Sequence, residues 1–210
     1  MPKESAPNPA IDLVDSGASL DELHLAAEGC TACELYRDAT QVVFGSGPAP
    51  APMMLVGEQP GDVEDQQGQP FVGPAGTVLA QALAEAGIRV EDVYVTNVVK
   101  HFRWEPKGKR RLHKTPATRH IRACIPWLEA ELAMVQPVVI VTLGAVASQA
   151  LLGRPFRVTE DRGKAIDWEG RTVVATIHPS AALRAAEPEE RDRLRASLVE
   201  DLVTALRLLG

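Results

Sequence analysis

Runs of consecutive apolar residues, rather than alternating ones, set the limits on what this 210-residue chain folds into. Residues 53–56 read Met-Met-Leu-Val, 93–96 Val-Tyr-Val-Thr and 138–143 Val-Val-Ile-Val-Thr-Leu, with 164–168 and 172–177 completing the set of strands. A strand wet on one face alternates in polarity, whereas one that is apolar throughout is covered on both faces. Helical periodicity fills the segments between. Residues 77–86 put Leu79 and Leu83 on one face, 119–135 are helical with a kink or restart at Pro126, and 145–152 form a shorter helix. Residues 189–209 close the chain as an amphipathic helix striped by Leu194, Leu198, Leu202 and Leu206. This alternation predicts a three-layer α/β/α sandwich with a mainly parallel central sheet. The length suits one well-buried core better than two, so residues 19–210 read as a single domain. Residues 1–18, rich in Pro, Ser and Ala and without periodicity, read as a flexible N-terminal arm.

Ser19-Leu-Asp-Glu22 has the pattern of a capping box, opening a short helix that Gly29 ends. Residues 41–44 are a short strand candidate, and 62–76 read as a long polar, Gly-rich loop. In sheets of this class ligands bind beyond the carboxyl ends of the strands. Three strands end there in polar sequence: Gly57-Glu58-Gln59, Asn97, and His178-Pro179-Ser180. Taken singly these are a turn, a strand-end cap and a core histidine. Together they converge on one edge of one sheet. Phe71, in a Gly/Pro loop, is less suited to the core than its residue type implies.

The chain is acidic, at formal net charge −6, yet residues 100–122 hold nine of its 22 Lys and Arg residues and one acid, Glu105. Within that island Lys107, Lys109, Arg110, Arg111 and Lys114 surround His113. Such an island is either a solvated loop or a local contact to a polyanion. Global acidity excludes uniform coating by nucleic acid, and three Trp, two Tyr and four Phe are too few for an extended base-stacking platform. No apolar run approaches the roughly 20 residues that span a bilayer, and the first eight residues carry no secretory pattern. A cytoplasmic protein with reduced thiols is expected, so Cys30, Cys33 and Cys124 are not read as a disulfide framework. Cys30-Thr-Ala-Cys33 alone fits a zinc half-site or a redox pair.

Gly57-Glu-Gln-Pro-Gly61, Phe71-Val-Gly-Pro-Ala-Gly76, Val95-Thr-Asn97 and His178-Pro-Ser180-x-x-Leu183-Arg184 resemble, in order, the motifs of the uracil-DNA glycosylase superfamily and of its iron–sulfur branch. Gln59, and the basic insert ending in Lys109-Arg-Arg-Leu-His113, are similar to family X, whose members excise uracil and stay covalently joined to the DNA. The resemblance implies a DNA-repair enzyme with His113, Glu58 and His178 catalytic. It implies Gly57, Gln59, Phe71 and Asn97 around the uracil, and Lys109, Arg110, Arg111, Lys114, Ser180 and Arg184 on the DNA. Asn97 both donates and accepts, matching the O4 and N3–H edge of uracil, and His178 donates to O2. Glu58 stabilises the cationic sugar or orients a water. His113 must be neutral to attack, and its five cationic neighbours are expected to lower its pKa.

A 4Fe-4S cluster is implied on Cys30, Cys33 and Cys124, with His101 at the place of the fourth cysteine, the alternative being a structural zinc on the same four. The implied partner is uracil-containing DNA, single- or double-stranded, bound by a monomer away from membranes. An ordinary turnover glycosylase with Glu58-directed water, and a non-catalytic metal-bearing DNA-binding module, are the competing readings.

Overall fold

The computed structural model describes residues 10–14, 17–153 and 155–210. The chain enters through a helical turn, α1 (Ala10–Leu13), and then α2 (Leu20–Glu28). α2 begins with the reciprocal cap its sequence predicts: the Ser19 hydroxyl accepts from the Glu22 N–H, and the Glu22 carboxylate accepts from the Ser19 N–H at 2.8 Å. β1 (Met53–Gly57) leads through α3 (Asp62–Gln67) and α4 (Pro74–Glu85) to β2 (Val93–Asn97). A hairpin follows, β3 (Trp104–Lys107) and β4 (Arg110–His113), then α5 (Thr118–Val135), β5 (Val139–Leu143) and α6 (Ala145–Leu152). The last elements are α7 (Val158–Asp161), β6 (Ala165–Trp168), β7 (Arg171–Thr176), α8 (Ser180–Arg184) and α9 (Pro188–Arg207).

Five strands form the central sheet in the order β2-β1-β5-β7-β6, parallel except for the edge strand β6. Its two faces explain the continuous apolar runs. Met54, Val56, Tyr94, Ile140 and Val173 share one core with Leu23 of α2 and Trp127 and Leu128 of α5. The alternate residues Met53, Leu55, Val139, Val141 and Val174 share the other with Leu79 and Leu83 of α4 and Leu198 and Leu202 of α9. Successive side chains of a strand point to opposite faces, so both sets must be apolar when helices cover both. The predicted three-layer, mainly parallel sandwich is the architecture found.

Four expectations need correction or qualification. Residues 42–44 are buried but form no strand; a single bond from the Val43 N–H to the Lys100 carbonyl (2.8 Å) ties them to the β2 end. Residues 62–76 are not one loop, because α3 forms between Gly61 and a left-handed Gly68. α5 runs unbroken through Pro126. Of the expected arm, residues 1–9, 15 and 16 lie outside the described residues, while Ala10 is buried in the first core. Among the described residues no helix is long and apolar enough to cross a membrane.

Candidate active site

Parallel pairing brings the carboxyl ends of β1, β2, β5 and β7 to one edge, with Gly57 directly opposite Asn97 and Leu143 opposite Thr176. At Gly57 a methyl group would overlap Asn97 Oδ1 and the Phe71 ring, so only glycine lets the two side chains close over the end of β1. Asn97 is 2% exposed, and its side-chain amide has no hydrogen-bond partner among the described residues. Phe71 sits at φ +54°, a strained value for a large side chain. Its ring lies 6.4 Å from that of His178, centroid to centroid. Glu64 holds the two loops together, accepting from the Gly61 N–H (3.1 Å) and the Gly73 N–H (2.8 Å).

His178 has a defined tautomer. Its Nδ1 accepts from the Ser180 N–H at 3.2 Å, which leaves the ring proton on Nε2. Burial, then the charges of Arg184 and His113, bring its pKa down to about 4, so the ring is neutral at pH 7. Ser180, expected on DNA, has its hydroxyl engaged within the protein instead, 2.8 Å from His178 Nδ1 and accepting from Arg184 at 2.7 Å. Arg184 is the charge that sequence reasoning placed too far out, since it acts on Glu58, His113 and His178 alike.

Glu58 is mostly buried, and its Oε1 has no hydrogen-bond partner. Desolvation, opposed by Arg184, pushes its pKa up to about 7. The nearest basic group is His113, with Nε2 3.8 Å from Glu58 Oε1, beyond hydrogen-bond range. His113 packs 6.0 Å from the Phe102 ring, and its side chain remains 48% exposed. Its pKa is lowered, chiefly by burial of part of the ring and then by Arg184. The expectation that the five basic neighbours do this is corrected by where they stand.

Those neighbours are on a hairpin, not a loop. Trp104 pairs with His113 and Lys107 with Arg110, so the histidine is at the base and the charges are at the tip. Lys107, Lys109 and Arg110 are exposed there. Arg111, expected on DNA, instead folds inward: Nε lies 2.5 Å from Asp62 Oδ1 and Nη1 2.6 Å from Asp65 Oδ2, and the guanidinium is 5.5 Å from the rings of both Phe102 and Trp104. Lys114 pairs with Glu105 at 2.8 Å. Gln59, expected at the uracil, has its amide committed to the hairpin. It donates to the carbonyls of Arg103 (3.1 Å) and Lys114 (3.2 Å) and accepts from the Arg103 N–H (3.2 Å). Both amide protons and the oxygen are thereby used. The acidic anchor on α3 was missed at the sequence level; its signal is Asp62 and Asp65, three apart at a helix start.

Cys30 and Cys124 are buried and Cys33 partly so. Burial raises the pKa of both Cys33 and Cys124; Glu34 and Cys30 raise Cys33 further, and Cys33 and Cys30 raise Cys124. The Trp127 indole N–H donates to Cys30 Sγ and the Lys100 N–H to Cys124 Sγ, both at 3.4 Å. His101 is buried, its pKa brought down to about 4 by desolvation, and neither ring nitrogen has a hydrogen-bond partner among the described residues. His120, the other buried histidine nearby in sequence, has both nitrogens engaged, by the Ala117 N–H and by Glu34. Among the described residues no three Cys, His, Asp or Glu side chains are gathered tightly enough to hold a metal ion. Three thiols and one imidazole are a donor set that either a zinc ion or an iron–sulfur cluster accepts.

The Uracil DNA glycosylase superfamily profile matches residues 44–203 of the chain. The Type-4 uracil-DNA glycosylase of Thermotoga maritima is 42% identical over 178 residues, 84% of this chain and 87% of that protein. That of Pyrobaculum aerophilum is 35% identical over 191 residues, 87% of this chain and 91% of that protein. The Type-5 uracil-DNA glycosylase of Thermus thermophilus is 35% identical over 193 residues, 80% of each chain.

Proposed function

This chain belongs to the uracil-DNA glycosylase superfamily, and from that premise we propose that it excises uracil from DNA and is then joined to the abasic sugar by its own His113. The observation that carries the covalent step is the pairing of Glu58, buried and with an unpartnered Oε1, with His113 Nε2 at 3.8 Å. The base leaves the stack at a cost of roughly a few kcal/mol and enters between Phe71 and the unpartnered amide of Asn97. As the bond between C1′ and the uracil N1 breaks, its electron pair moves into the base. The Nε2–H of His178 donates to the developing anion at O2, and the sugar becomes oxocarbenium-like beside Glu58. The lone pair of one His113 ring nitrogen then bonds to C1′, and the proton on the other ring nitrogen passes to the Glu58 carboxylate. The result is a neutral N-linked imidazole, a poor leaving group, so turnover stops. Exposed Lys107, Lys109 and Arg110 at the hairpin tip are the phosphate contacts.

The same reading assigns a 4Fe-4S cluster to Cys30, Cys33, His101 and Cys124. When bound, that group would supply positive charge to thiolates that burial otherwise disfavours and would tie the Cys30–Cys33 segment after α2 to α5, which carries Cys124. The unpartnered ring of His101, against the committed ring of His120, supports the choice of fourth ligand.

The test is incubation of the protein with uracil-containing single-stranded DNA followed by denaturing electrophoresis. A denaturation-resistant adduct, one per protein, is the expected result. Free abasic DNA in excess over protein, with no adduct, would instead leave an ordinary turnover glycosylase. The hairpin anchor gives a graded check. Arg111→Met frees β4 from Asp62 and Asp65, so adduct yield per uracil released should drop about tenfold, while release itself changes little. A paired assay of released uracil and adduct from one reaction measures that ratio; an unchanged ratio would show that the anchor does not place His113.

A further inference from the structure

Behind the pocket Lys100 and Glu131 form an ion pair sealed from solvent, their side chains 1% and 0% exposed. Lys100 Nζ lies 2.5 Å from Glu131 Oε2, 2.7 Å from Thr96 Oγ1 and 2.8 Å from the carbonyl oxygen of Asn97. All three ammonium protons thus have an acceptor. Glu131 Oε1 accepts in turn from the Tyr94 hydroxyl (3.1 Å), the Gly45 N–H (2.9 Å) and the Thr96 hydroxyl (2.9 Å). No member of this network reaches the pocket's open face.

A buried ion pair is poor evidence for stability, because desolvating two ions offsets their attraction and apolar groups of the same shape often serve as well. What apolar groups do not supply here is the bond to the Asn97 carbonyl. Among the described residues the side chain of Asn97 has no hydrogen-bond partner, so apart from its packing over Gly57 its aim is set by the main chain at the end of β2. That main chain is gripped from behind by Lys100, and Lys100 is gripped by Glu131 from α5. The two elements that would have to move apart to misdirect the amide, β2 and α5, are joined by this ammonium group together with the Tyr94 and Thr96 hydroxyls on Glu131, and of these only the ammonium group reaches the Asn97 carbonyl.

We infer that Lys100, held by Glu131, is a positioning residue for base recognition: it fixes the Asn97 strand end so that the amide is preorganised for the uracil edge. This rests on the reading of Asn97 as the base-contacting residue. Lys100 and Glu131 are sealed from the surface and offer DNA nothing to touch, so their effect is confined to the base.

The experiment is single-turnover uracil release by the full protein carrying Lys100→Met together with Glu131→Gln, which removes both charges at once and keeps the shapes. Release should slow by about tenfold to a hundredfold, the effect of losing one charge-assisted hydrogen bond at the site, with affinity for uracil-free DNA unchanged. In an Asn97→Ala background the same pair of changes should slow release by less than about twofold, since its route runs through Asn97. A folded double variant that releases uracil at the wild-type rate, or a loss that multiplies fully with Asn97→Ala, overturns the inference. Thr96→Val, an isosteric change that takes one acceptor from Lys100, decides the matter if the double variant does not fold: release several-fold slower with DNA affinity intact supports the inference, and wild-type release refutes it. Wild-type protein that releases no uracil would overturn the reading of the site itself, a separate result.

Discussion

Serine in place of His113 is expected to abolish the denaturation-resistant adduct while uracil release continues. The two outcomes separate because the groups that break the bond are elsewhere. Asn97 and Phe71 close over the end of β1 with the His178 ring beside Phe71, and among the described residues none of the three hydrogen-bonds to His113. His113 approaches from the hairpin, at the register position opposite Trp104, with half of its side chain open to solvent. Removing the imidazole leaves a space of that size next to Glu58, where water takes the nucleophile's place. The variant should therefore release more than one uracil per protein, whereas the wild type is expected to stop at one. Denaturing electrophoresis reads the first result and counting released uracil against protein reads the second. An adduct that survives the change would place the nucleophile on another residue. Loss of uracil release together with the adduct would make His113 part of bond breakage rather than of capture.

The parts of this fold legible in the sequence are those whose stability comes from burial. Met53 to Val56 had to be a strand covered on both sides, because its odd and even residues feed two different cores. Ser19 and Glu22 had to begin a helix, because the cap is a contact between residues three apart. The hairpin was not legible for the opposite reason. Its own residues are polar, and it is held by distant ones: Gln59 across both strand ends, and Asp62 and Asp65 through Arg111. Residues 42–44 misled because burial without a ladder of backbone bonds looks like a strand in sequence.

The site divides the same way. Strand-end residues Glu58, Asn97 and His178 were placed by topology alone, since parallel strands put all their carboxyl ends together. What each one faces was not. Arg111 and Lys114 counted as free positive charge in the sequence, yet both are paired in the fold, and the charge that reaches the pocket comes from Arg184. Lys100 is the sharpest case, because in the sequence it counts as one charge of the basic island, and only the distant Glu131 explains why it is buried.

Glu58→Gln is expected to do two opposite things, and both follow from one desolvated carboxyl. Burial raises its pKa from 4.5 to about 7, so the ionised form predominates only above that pH. The carboxylate is the form that stabilises a cationic sugar and accepts the His113 proton. The second-order rate of adduct formation at limiting DNA, which reports groups of the free protein, should therefore rise with pH through about 7 and level off above it. His178, near 4, is neutral across that interval and does not create the limb, while partial burial and then Arg184 lower His113 from its ordinary value and so favour its neutral form. Glutamine should remove the limb and lower the plateau about 10²- to 10⁴-fold, the usual contribution of a positioned acid or base. A limb that persists in the variant would assign it to another group.

Stability moves the other way. The folded protein binds the Glu58 proton more tightly than the unfolded chain does, so between pH 4.5 and 7 it loses stability as pH rises. At about 1.4 kcal/mol per tenfold change in proton affinity, the interval from 4.5 to about 7 bounds that loss at ~3 kcal/mol. An uncharged but unpartnered amide recovers part of it. The variant should then melt a few degrees higher than wild type at pH 8, at about 2–4 °C per kcal/mol for a chain of this size, and at nearly the same temperature at pH 4.5. Thermal melts at the two pH values test this. Equal midpoints at pH 8 would mean that Glu58 is solvated in the free protein, and the buried base on which the covalent step depends would be lost with it.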